Sequence, residues 1–270
     1  MGIPEYIFSP TRIGAMVLRY LYLLRGSWPR IIEQMYWPTV QMVIWGLVTQ
    51  FFVTNSSWVA RATGVLLAAV LLWDVLFRAQ LGVSVVFMEE MFARNLGHLF
   101  ASPLRPYELA LSLILISLFR TCLGVGSAAL LAIPLYQYSI FDMGLPLLAF
   151  FTNLMVFGWG IGLMICALLL RYGLGVESLA WASIFALAPI SGIYYPIATL
   201  PTWLQPVAWA VPSSHVFEGM RTLLFEHRFD SAAFVWAAGL NVVYIAAGVL
   251  VFLWTSRIAR ERGLLLHTGE

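Results

Sequence analysis

Six stretches of this chain are long, apolar and nearly free of charge: residues 36–53, 62–87, 108–135, 145–170, 178–197 and 232–256. A helix needs about 20 mostly apolar residues to cross a bilayer. Each stretch therefore predicts a transmembrane helix, and the expected fold class is an all-α integral membrane protein with six spans. A single membrane domain over residues 1–270 accounts for the whole chain.

Three segments are neither spans nor plain loops. Ser9-Pro10 reads as a helix start, with serine at the N-cap and proline at the first helical position. The run that follows is too short and too rich in arginine to span. Arg12 and Arg19 share a face, while Ile13, Met16, Val17, Tyr20, Leu21 and Leu24 supply apolar surface. The expectation is a helix over residues 9–27 lying in the cytoplasmic interface, with Trp28 and Trp37 as belt residues; a disordered basic tail is the alternative. Between the second and third spans, residues 88–102 read as one helix that exposes Glu89, Glu90, Arg94 and His98 among Met91, Phe92, Leu96, Leu99 and Phe100. Such a surface suits a partner's groove, the alternative being a helix resting on headgroups. Before the last span, Thr202-Trp-Leu-Gln205 fits a capping box that opens a short helix ended by Pro212, and a second short helix follows to about Phe225. These external helices, within residues 199–228, are too short to cross and predict re-entrant or interfacial segments.

Composition supports the membrane reading. Hydrophobic residues make up 61% and charged residues 10%, against about 25% charged in soluble domains. Mean hydropathy is +0.86. All 15 basic residues are arginine, and the absence of lysine excludes a Walker A loop and any Schiff-base chemistry within this chain. Placing both termini inside puts ten arginines on the cytoplasmic side and three (Arg61, Arg221, Arg228) outside, which fixes the expected orientation. The opening residues carry no apolar signal-peptide core. Cys122 and Cys166 lie in apolar runs without partners at metal-ligand spacing and read as small buried hydrophobes.

Charge inside the spans is costly and normally faces protein or a water-filled path. Asp74 and Arg78 are four apart on one face and can pair, and Arg120 lies near the middle of the third span. Two readings stay open: Asp74, Arg78 and Arg120 line a translocation pathway with Trp73 and Trp159, or they form a self-neutralised structural group. Trp45 and Trp181 also fall within spans. Gly124, Gly126, Gly158, Gly160 and Gly162 are expected to permit close helix contact.

Two blocks together resemble the permease subunit of ABC-2-type ABC transporters. One is the helix ending in Ser102-Pro103-Leu104. The other is Ser191-Gly192-Ile-Tyr-Tyr-Pro196, continuing through Leu200-Pro201 and Pro212 to Glu218-Gly-Met-Arg221. The resemblance extends over nearly the whole length. It implies that residues 88–102 are a coupling helix seated in a cleft of a separate ATPase chain, with Glu89, Glu90, Arg94, Leu96, Leu99 and Phe100 as contacts. It further implies that the second block, with Gly192, Pro196, Pro201, Pro212, Glu218 and Arg221, forms paired external helices. The implied assembly is a homodimer of permease copies and two ATPase subunits that hold ATP and magnesium, in a bacterial cytoplasmic membrane. Export of an amphipathic or hydrophobic substrate is the implied function. No catalytic residue, metal, cofactor or nucleic-acid partner is expected in this chain. An ion-coupled secondary transporter is the main alternative, with Asp74 as its only well-placed carboxylate. Glu89-Glu90-x-x-x-Arg94 also matches one motif of an intramembrane metalloprotease, but no histidine set completes a metal site.

Overall fold

The computed structural model describes residues 8–55 and 63–262. Arg61, counted above on the outside, and most of the opening segment lie outside the described residues, as does His267. The described residues form ten α-helices and no strand: α1 (Pro10–Arg25), α2 (Trp28–Asn55), α3 (Thr63–Phe92), α4 (Leu96–Ala101), α5 (Pro106–Tyr136), α6 (Leu145–Tyr172), α7 (Ser178–Ile190), α8 (Gln205–Trp209), α9 (Pro212–Glu226) and α10 (Ser231–Glu261).

Among the described residues four helices are long and apolar enough to cross a membrane: Gly64–Phe92 within α3, Pro106–Tyr136, Leu145–Tyr172 and Ser231–Glu261. The first expected span starts earlier than its apolar run. α2 opens at Trp28 and continues through Pro38. It has the length but is not among the four, and it carries Arg30, Glu33, Gln34, Gln41 and Gln50. The fifth expected span, residues 178–197, is shorter than its sequence suggests. α7 has 13 residues, about 20 Å of helix, and the chain turns from Ser191 to Pro196 before a 3-10 turn at Ile197–Thr199.

Local chemistry sets the helix ends. Pro10, Pro106 and Pro212 each stand at the start of a helix, where a missing N–H costs nothing. Asp230 caps α10 by accepting the Ala233 N–H at 3.0 Å. The capping box expected at Thr202 does not form. Gln205 instead opens α8, and its amide donates to the Leu200 carbonyl at 2.9 Å.

α6 is the central element, packed on α3 along one side and α10 along the other. The core divides into two clusters. One, around Leu72, Leu76, Phe157 and Phe217, lies toward the α8–α9 end. The other, around Tyr20, Phe87, Leu113 and Phe252, lies toward the α4 end. Between them small residues bring backbones together. A Cβ on Gly158 would meet Ala79, one on Gly160 would lie 2.9 Å from the Tyr244 carbonyl oxygen, and one on Gly248 would strike the Gly160 backbone. Gly124, Gly158, Gly160 and Gly162 thus sit at close contacts as expected, while Gly126 faces open space. Gly82 and Gly248 belong to the same layer. Across α6 and α10, Asn241 donates to the Asn153 side chain at 2.8 Å and to its carbonyl at 3.0 Å, polar glue of the kind that joins helices in lipid.

Replacing Gly248 with leucine should force α10 off α6 and cost about 1–3 kcal/mol. Thermal unfolding of the detergent-solubilised protein should drop by several degrees; an unchanged midpoint would contradict the close packing.

Candidate functional site

At the α4 end, two carboxylates organise the chain. Glu108 occupies the third position of α5 and is fully buried. It accepts from Arg12 Nε at 2.8 Å and Nη2 at 2.5 Å, from the Ser9 N–H at 3.1 Å and from the Arg105 N–H at 3.0 Å. The starts of α1 and α5 thus meet on one anion, favoured by the positive ends of both helices. Glu90, in the last turn of α3 and 3% exposed, takes both Arg19 Nη1 at 2.6 Å and Nη2 at 3.0 Å, and the Asn95 amide at 2.6 Å. Such bidentate arginine–carboxylate pairs are the strong kind. The Glu90 hydrogen bond holds the Arg19 guanidinium above its ordinary pKa, and burial pushes the neighbouring Tyr20 phenol up. The shared face of Arg12 and Arg19 therefore turns into the protein, whereas Leu18, Tyr22 and Leu23 are the exposed side of α1.

Residues 88–102 are not one helix. Residues 88–92 finish α3, and α4 is only six residues long. The break has a clear cause. Arg94 adopts the left-handed conformation, φ 52°, its N–H bonding to Met91 O and that of Asn95 to Glu90 O, each at 2.9 Å. This is a Schellman stop with arginine where glycine usually sits, at a cost of roughly 1 kcal/mol. The expected exposure of the six contact residues is corrected accordingly. Glu90, Leu96 and Leu99 are buried, Glu89 is one-third exposed, Phe100 is half-buried and Arg94 is exposed. Phe92, 61% exposed, is the most open large apolar residue of the turn. Arg260 of α10 lies 5.1 Å above the Phe100 ring.

A second group lies between α2, α3 and α5. Arg78 Nε stands 3.3 Å from Asp74 Oδ2, and its Nη1 donates to Gln34 Oε1 at 3.1 Å. Gly124 lets the Gln34 backbone and the Arg78 guanidinium approach α5. Arg120, one helical turn away, reaches Glu89 at 3.4 Å, and Glu89 lies 4.0 Å from Arg30. Asp74 and Arg120 are 8% and 5% exposed, whereas their neighbours Glu89 and Arg30 are partly open to the surface. Trp159 donates to Ser117 Oγ at 3.3 Å, and Trp73 packs half-buried on the core toward the α8–α9 end.

The third group assembles the proline- and glycine-rich block. Arg221 on α9 donates to the carbonyls of Gly192 and Tyr195, the latter at 2.7 Å, and pairs with Glu218 at 3.2 Å. Glu218 accepts the Ile197 N–H at 2.6 Å. Gly192 turns with φ 63°, and a Cβ there would strike Ile197. Pro196 and Pro201 accept the turn bonds from Thr199 and Leu204, while Pro212 starts α9. Ser191 and Ser213 share a 2.7 Å hydrogen bond, and Ser214 donates to Ile190 O at 3.0 Å. Ser191 opens the block singled out in the sequence, whereas nothing in the sequence sets Ser213 and Ser214 apart from other serines. Among the described residues no cluster of side chains could hold a metal ion.

Four helices long and apolar enough to cross a membrane mark a multi-pass membrane protein. The chain belongs to the ABC-2 type transporter family, whose family model matches residues 19–225. Members of this family are transport components that work with an ABC ATPase subunit and are not themselves catalytic. A search of curated proteins finds no match to the chain.

Arg221→Ala should leave Glu218 and two turn carbonyls without their partner, a loss on the order of 3 kcal/mol. Limited proteolysis of the protein in detergent should then cut within residues 191–201, while Arg221→Lys should protect partially. Equal resistance of the alanine variant and the wild type would contradict the lock.

Proposed function

We propose that this chain is the permease subunit of an ATP-driven exporter in a bacterial cytoplasmic membrane. Two copies pair, and two ATPase chains supply ATP and magnesium binding. α2 and the α7 region complete six crossings with α3, α5, α6 and α10, and both termini are cytoplasmic. The α4 end is then the coupling corner, α1 lies at the inner interface, and α8 and α9 lie toward the outside. The cargo is amphipathic or hydrophobic: a lipid-linked glycan, a lipid or a drug-like molecule. It enters from the cytoplasm or inner leaflet and leaves along the permease interface.

The observation that carries this reading is the corner itself. A six-residue helix projects from the junction of two long spans and is tied by Leu96 and Leu99 to the core. Movement imposed on α4 would therefore pass directly into α3 and α5 as a rigid-body change. On this reading Asp74, Arg78 and Arg120 brace α2 against α3 and α5 beside the path, with Trp73 and Trp159 behind them. An ion-coupled carrier is disfavoured because Asp74, its one candidate carboxylate, is already engaged by Arg78.

Affinity purification from the native host in mild detergent, with mass spectrometry and molar mass, should recover two permease and two ATPase chains. Repeated recovery of the folded permease without a nucleotidase would overturn the proposal.

A further inference from the structure

We infer that the coupling corner reads an acidic socket on the ATPase chain, with Arg94 as its specificity-determining cation and Phe92 as the apolar plug beside it; this rests on α4 being the ATPase-docking element. The corner is sorted by charge. Glu89, Glu90 and Glu108 are all held by arginines: Arg30 and Arg120, Arg19, and Arg12. Arg94 and Arg260 are exposed and make no ion pair among the described residues. Glu90 and Glu108 face inward, Glu89 is one-third exposed but paired, and the exposed Glu261 pairs with Arg257 at 3.0 Å, so the unpaired charge of the turn is positive. An anionic partner surface complements it.

The backbone at Arg94 adds a second observation. The left-handed C′ position favours glycine or asparagine, and an arginine here keeps a strained turn. Outliers of this kind concentrate at functional contacts. Phe92 stands bare two residues earlier, and Ala101, Ser102 and Pro103 leave the opposite side of α4 low and exposed. Anionic headgroups would also attract arginine, but any flexible exposed arginine serves a fluid headgroup layer. A cation on a fixed turn beside a bared aromatic suits a partner of fixed shape.

The test is rebinding of the co-purifying ATPase to the permease in lipid nanodiscs, at low and high salt. Arg94→Glu should weaken binding by about tenfold or more, and adding Arg260→Glu should weaken it further. Wild-type affinity should fall as salt rises. Arg94→Gly relaxes the turn, so it should melt at or above the wild-type temperature and still bind the ATPase several-fold more weakly. That combination separates recognition from folding. Wild-type affinity in Arg94→Glu, or affinity indifferent to salt, would overturn the inference. So would loss of binding to anionic vesicles with ATPase affinity unchanged, which would assign the arginines to lipid. If the wild-type permease binds no ATPase at all, the docking reading fails instead.

Discussion

Two buried carboxylates, Glu90 and Glu108, hold together the α4 end of the protein. A carboxylate out of water is costly unless it is paired and hydrogen-bonded, and each of these has at least three donors. The donors come from different parts of the chain. Glu108 joins the first turns of α1 and α5, and Glu90 joins the middle of α1 to the last turn of α3 and the residue before α4. Loss of either arginine would leave a charge stranded inside, so the four segments are constrained to keep their mutual positions. Tyr20, Leu96 and Leu99 fill the space between them with apolar contact.

The other two polar groups follow the same logic at different heights. Between α2, α3 and α5, Arg78 and Arg120 are each answered by a carboxylate, and Gly124 removes the side chain that would keep α2 away. Toward the α8–α9 end, Arg221 gathers backbone carbonyls that a tight turn leaves without helical partners. Glycine supplies close approach where backbones must touch, and arginine supplies several donors at one point. In a chain without lysine, arginine serves every such site.

Much of this was legible in the sequence. The four long apolar helices, the Asp74–Arg78 pair and the start at Pro10 follow from periodicity and local chemistry, whereas Pro212, read as ending a helix, starts α9. The two-helix block ending in Glu218 and Arg221 follows from its prolines. What could not be read were pairings distant along the chain. Arg12 and Glu108, or Arg19 and Glu90, are far apart in sequence, and nothing local distinguishes an arginine facing headgroups from one facing a buried carboxylate. The same blindness made residues 88–102 look like one exposed helix. Its periodicity is helical throughout, and the left-handed turn falls on an arginine, where no glycine marks it. The fifth apolar run is longer than its helix, α7, because Ile193, Tyr194, Tyr195 and Ile197 are apolar but belong to the turn that Arg221 gathers.

The central claim is that α1 and the α4 corner, which we propose as the coupling element, act as one body through Glu90. A double-mutant cycle with Arg19→Met, Glu90→Gln and both together, read as substrate transported per ATP hydrolysed in proteoliposomes, tests it most directly. Each single change should lower that ratio, and the double variant should be no worse than the poorer single, because both remove the same link. Losses that simply add, or single variants that couple as well as the wild type, would contradict it.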